Sequence, residues 1–328
     1  MGWVIWRHHR VALAGVAAFL GALACWLWIE GLSLHHAYAT AVACHPAGSA
    51  ACFNLVVTFE NANLLLKSGL VLQPVPALIG AFVGPLLLAR EFETGTFRYA
   101  WTQAYGRWRW ALAKLVALGI TLAVLAGAFS VLVSWYYQPY FAAGNHSSFS
   151  TPSELSPGLF DLRGIDFAAW TLAAFAVGVL AGTLIRRIVP AIVATLTVYA
   201  GLAIIAASVL REHYLTALVA KDSNIPGTAL ILSEWWTRGG KFAFGGEIPF
   251  NLLTRLCPAA FVGSGQGVST SGALSPTQCL LQHGYTELAN FQPASHFWPF
   301  QWIEGGWLLG LSTLLFAVTI WLVRRQAA

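Results

Sequence analysis

The sequence predicts an all-α polytopic membrane protein with six transmembrane helices, and three observations lead there. Hydrophobic residues make up 57% of the 328-residue chain and charged residues only 9%, far below the roughly 25% charged of a soluble domain. The apolar residues gather into six runs near the ~20 residues that cross a hydrocarbon core. The basic residues concentrate in the segments on one side of those runs, the pattern that orients a protein in a bilayer. That distribution also sets aside nucleic acid as a partner, because the net charge of +5 follows topology rather than one basic patch.

The first element is an N-terminal interfacial helix, MGWVIWRHHR, in which Trp3, Trp6, Arg7 and Arg10 precede the first span, 11–29. Tryptophan and arginine at that spacing suit the headgroup level. The run is longer than a signal-peptide core, so it reads as a span despite the Ala37/Ala39 pattern downstream. Residues 30–68 form a polar outer loop. The second span, 69–89, carries Pro74, Pro76 and Pro85, which remove backbone donors and should kink or break it. The third is 115–135, followed by an outer loop over 136–166. Spans 167–185 and 188–210 are separated only by Arg186 and Arg187, which demands a tight helical hairpin. Residues 211–301 form a large outer segment with several apolar patches but no clean run of spanning length. Re-entrant or surface helices are expected there, before the sixth span at 302–323.

Between the second and third spans lies a charged and aromatic island, residues 90–114, REFETGTFRYAWTQAYGRWRWALAK. Aromatic rings interleave with arginines, so the segment is expected to lie flat on the membrane surface. Together with the N-tail, the Arg186-Arg187 link and the C-tail, it holds 11 of the 18 Lys and Arg residues but only Glu91 and Glu93 among the 13 acids. The positive-inside rule makes these parts cytoplasmic, with both termini there and the long loops outside.

On the outer side, Cys44/Cys52 and Cys257/Cys279 are expected to form two loop-closing disulfides, since extracytoplasmic thiols tend to be oxidised. His35, His36, His45, His146, His283 and His296 are outer-side candidates for a metal or acid–base site, but no HExxH spacing is present and no metal site is expected. Pairs of small residues at Gly80/Gly84, Gly178/Gly182 and Gly306/Gly310 allow close helix approach, most simply as internal packing. The spans read as lacking the buried ionisable residues of an ion relay. No GxxxxGK[ST] phosphate loop occurs; Gly239-Gly240-Lys241-Phe242 lacks the spacing and the hydroxyl. No GxSxG elbow is present either. Any ATP chemistry therefore belongs to another chain. A membrane enzyme using Glu234, Glu247 or Glu287 on lipid-linked substrates, and a sensory membrane subunit, are the competing readings.

Three stretches carry a family resemblance. REFETGTFRYAWTQAYGRWRWALAKL resembles the first cytoplasmic loop of permease subunits of actinobacterial ATP-binding cassette exporters of the second type. WRHHR at 6–10 is similar to that family's WRQHR, with His8 where glutamine is usual. FQPASHFWPFQWIE at 291–304 is similar to its YQPASRFWxFQxIE, with His296 replacing an arginine. The resemblance implies a six-span permease in the cell membrane, paired with a second permease, identical or paralogous, and with two cytoplasmic ABC ATPase subunits. It implies that the 90–114 loop is a coupling helix contacting the ATPase through Arg90, Glu91, Glu93, Gly95, Thr96, Trp101, Thr102 and Gln103. No cofactor is expected in this chain, with ATP and Mg on the partner, and the cargo would be a hydrophobic or amphipathic small molecule, peptide or lipid moved outwards.

Overall fold

The computed structural model describes the backbone of residues 2–46, 49–62, 64–67, 69–94, 107–144, 152–221, 225–257 and 276–325. Eleven helices are named here: α1 (Gly2–Val42), α2 (Ala50–Asn61), α3 (Leu64–Lys67), α4 (Val75–Thr94), α5 (Arg107–Ala143), α6 (Pro157–Phe160), α7 (Asp166–Ile185), α8 (Ile188–Ile205), α9 (Phe250–Leu256), α10 (Pro276–Gln282) and α11 (Phe297–Arg325). Four strands lie between α8 and α11: β1 (Leu218–Lys221), β2 (Leu230–Arg238), β3 (Lys241–Gly245) and β4 (Tyr285–Gln292).

Among the described residues, five segments are long and apolar enough to cross a membrane: Leu13–Val42, Ala111–Ala143, Asp166–Ile185, Ile188–His213 and Ala294–Arg325. In the remaining expected span, the described apolar part is the shorter Val75–Leu87. The chain is thus a polytopic helical membrane protein. Its helices overrun several expected loops. α1 continues through residues 30–42, and α5 continues to Ala143, so much of the two first outer loops is helix rather than polar coil. The backbone of Trp3, Trp6, Arg7 and Arg10 belongs to α1, which enters the first span without a break; their side chains lie outside the described residues.

α4 and α7 form the closest pair. Its prolines act at the ends and the contact face rather than by breaking the helix. Pro74 precedes α4, Pro76 sits in its first turn where no intrahelical donor is lost, and Pro85 lies inside it. A Cβ on Gly80 would collide with the backbone of Ala174, and one on Gly178 or Gly182 would meet Pro85. Two of the three small-residue pairs therefore face each other and let the backbones touch. Gly306 and Gly310 have nothing within 4 Å of such a Cβ among the described residues, so that pair makes no close helix contact there.

The expectation of helices across 211–301 is corrected by a four-stranded antiparallel sheet in the order β1-β4-β2-β3. Gly239 and Gly240, both at positive φ (56° and 78°), turn β2 into β3, with Arg238 opposite Lys241. A two-residue turn with two left-handed positions selects glycine and matches strand twist. Trp236, buried, packs with Phe244 and Tyr285 on the covered face. The fold is therefore not all-α, although α9 and α10 do flank the sheet.

Both expected disulfides are present. Cys44–Cys52 closes the turn from α1 to α2, and Cys257–Cys279 joins the end of α9 to α10. Cys25 is free and exposed. The α2–α3 segment is further held by α5, where the Tyr140 hydroxyl donates to the Ala62 carbonyl at 3.0 Å and Tyr137 donates to Leu66.

Candidate functional site: a buried ionic latch

Where α6 leads into α7, three carboxylates and one arginine meet out of solvent. Asp166 and Glu304 are fully buried, and Arg211 is 6% exposed. Asp161 follows α6, Asp166 opens α7, Arg211 starts the last turn, Arg211–His213, of the helical run that extends α8, and Glu304 lies in the second turn of α11. The reading that the spans lack buried ionisable residues is thereby overturned. These acids sit just outside or within the first two turns of helices, where a sequence alone places them at the water boundary.

Arg211 clamps Glu304 with two bonds, Nε to Oε2 at 2.9 Å and Nη2 to Oε1 at 2.6 Å, and its Nη2 also donates to Asp161. The planar guanidinium suits this fork geometry, where an ammonium would not. Its face lies 4.7 Å from the Phe160 ring centre. Glu304 accepts in addition from Trp170 Nε1 at 2.9 Å and from the Tyr214 hydroxyl at 3.3 Å, and Trp307 Nε1 donates to that hydroxyl at 2.8 Å. Burial pushes the Tyr214 phenol up, and Glu304 beside it adds to the effect. So many donors converge on Glu304 because a buried carboxylate is tolerated only when paired and hydrogen-bonded.

One turn earlier on the same face of α11, Gln301 bridges the latch to the start of α7. Its Oε1 accepts from the backbone N–H of Ile165 at 2.8 Å and of Asp166 at 3.0 Å, and its Nε2 donates to Phe160 O at 3.2 Å. The side chain thus satisfies N–H groups that the helix start leaves free. Among the described residues, neither Asp166 carboxylate oxygen meets hydrogen-bond geometry with a side chain or backbone group; Oδ1 lies against Gly305, 3.4 Å from where a Cβ would stand there. Beside the latch, the Arg163 guanidinium sits between the Phe141 and Phe297 rings at 4.1 and 4.8 Å. Burial draws its pKa down, opposed by Glu154, 3.9 Å away, and by Tyr137.

The latch and the basic links occupy opposite ends of the spans. α7 runs from Asp166 to Arg186, α8 returns towards Arg211, and α11 runs from the latch to Arg324 and Arg325. Arg186 takes a left-handed conformation, φ 56°, that closes α7. Of the expected coupling residues, the backbone of Arg90, Glu91 and Glu93 belongs to the last turns of α4, near that basic end; their side chains, and all of Gly95, Thr96, Trp101, Thr102 and Gln103, lie outside the described residues. From Arg107 onward the island is not a flat surface helix but the start of α5, and Lys114 is buried in it.

Sequence reasoning did not single out the latch. Its signal was present in FQPASHFWPFQWIE, where Gln301 and Glu304 stand three apart and so share a helix face. Glu234 and Glu247, considered for lipid-linked chemistry, are exposed on the sheet and the loop after it. No curated protein and no solved structure matches the chain. Residues 17–211, more than half of the chain and ending on the latch arginine, match the model of a family described as ABC-2 membrane transporter related; the chain belongs to that family, and is an ABC-2-type membrane transporter component.

Proposed function

We propose that this chain is the permease of an ATP-driven exporter that moves a hydrophobic or amphipathic compound out of the cytoplasm, with segment 90–114 as its coupling helix. Two ABC ATPase subunits engage that segment, a second permease completes the pathway, and both termini are cytoplasmic in the cell membrane. Beyond family membership, the observation that carries this reading is the polarity of the bundle. The basic links Arg186-Arg187 and Arg324-Arg325 stand at one end of the spans and the buried latch at the other, as the positive-inside rule requires of a cytoplasmic face.

The physical route from partner to pathway follows from connectivity. The coupling segment leaves α4 and enters α5, and α4 packs backbone to backbone on α7. Close-packed helices move as units rather than deform. α7 is in turn locked at its far end to the 211–214 segment and α11 by Arg211, Glu304 and Gln301. A push on segment 90–114 is therefore delivered to the outer ends of three elements together. The chain contributes positioning and motion, and ATP hydrolysis stays on the partner.

Alanine replacements at Glu91, Glu93 and Trp101, each in the full chain reconstituted with its ATPase, test this. The expected result is loss of permease-stimulated ATPase activity and of ATP-dependent dye accumulation in inside-out vesicles. Normal coupling in all three variants rejects the assignment of the segment.

A further inference from the structure

At the edge of the sheet, the end of α9 faces α10, and the two helices bring together Cys257, Cys279 and His283. The ligand atoms of all three lie within 4.8 Å of one another. Cys279 and His283 are four residues apart, and the helical turn continues through them, since the His283 N–H bonds to the Cys279 carbonyl at 3.1 Å. Residues at that spacing share one helix face, and it falls within the spacing of zinc half-sites. Imidazole Nδ1 stands 3.7 Å from Cys279 Sγ. Cys257 approaches from the C-terminal cap of α9, with its Cα 6.1 Å from that of Cys279.

We propose that, when the Cys257–Cys279 disulfide is reduced, its two thiolates and His283 bind one zinc ion, with water in the fourth position. A dithiol-class reductant supplies two electrons and two protons to the disulfide and becomes a disulfide itself. Zinc binding then releases the two thiol protons to water, as thiolate coordination requires. Two sulfurs and one nitrogen suit a tetrahedral, borderline-soft ion, whereas magnesium and calcium demand oxygen. Cys257 and Cys279 are buried, while His283 is exposed, so the ion enters from the histidine side and the sulfurs are shielded. The backbones already stand at bridging distance, so rotation of the two cysteine side chains opens the sulfurs around the ion, and the His283 ring gives up the 2.9 Å contact of its Nδ1 with the Cys279 carbonyl to bind it. The same loop, 257–279, is then stapled in either redox state, by a covalent bond or by a metal.

The other disulfide is the internal control. Among the described residues, Cys44 and Cys52 have no third ligand at this distance. The test is zinc affinity of the full-length protein in detergent after reduction with a phosphine, read by competition with a chromophoric chelator. One zinc per chain is expected, absent before reduction, retained in Cys44→Ser/Cys52→Ser and lost in Cys257→Ser/Cys279→Ser. His283→Ala, at an exposed position that leaves the core intact, should weaken binding at least about tenfold, the lower bound even for residues that only support a ligand. Absence of zinc binding by the reduced chain overturns the proposal, as does an affinity unchanged by His283→Ala. Should the cysteine double variant fail to fold, the histidine variant decides alone.

Discussion

The two ends of the spanning helices are held by opposite means. At one end arginines stand in the link and at the tail, with Arg186 and Arg187 largely in contact with solvent. At the other, Arg211 is withdrawn from water and consumed by Glu304 and Asp161. The contrast teaches that the same side chain does two different jobs. In solvent it sets orientation at little cost in stability, and in the interior it fixes which helices are neighbours.

Substitutions at the two ends sharpen that contrast. The largest effect is expected of Arg211→Met, which leaves Glu304 and Asp161 buried without their cation. Breaking a buried pair from one side costs about 3–5 kcal/mol, and denaturant titration of the protein in micelles should read it. Adding Glu304→Gln to that variant should recover part of the loss; no recovery would show that the arginine acts through its packing on Phe160 instead. A middling effect is expected of Trp170→Phe, which removes one donor to Glu304 while the other donors remain. About 1.5–3 kcal/mol is the scale for a hydrogen bond to a charged group, and the same titration checks it. The smallest effect is expected at the other end, where replacing Arg186 and Arg187 together by alanine should shift stability by less than about 1 kcal/mol. A loss there equal to that of Arg211→Met would erase the distinction between the two ends.

How much of this was legible beforehand differs by element. The apolar runs of α5, α7, α8 and α11 were legible because bilayer thickness imposes a length, and composition reports it directly. Both cysteine pairs were expected from the positive-inside reading that groups their loops together, and both are bonded in the fold. The sheet was not, although Trp-Trp-Thr-Arg-Gly-Gly-Lys-Phe-Ala-Phe carries a glycine turn between two aromatic segments. Partial apolar patches in a membrane protein invite a helical reading, and only pairing with the distant β4 decided otherwise. The coupling role proposed for residues 90–114 rests on motif resemblance and on their place at the junction of α4 and α5.

By itself, the sequence determined that the chain is a multi-pass membrane protein and where most of its apolar helices run. Those properties depend on local composition summed over each run, which a linear reading captures. The tertiary structure alone decided that Asp161, Asp166, Arg211 and Glu304 meet, that Gly80 and Gly84 serve α7 rather than a partner chain, and that His283 stands beside a disulfide. Each of these joins residues distant in sequence or on neighbouring turns, and their energies exist only once packing removes water from between them.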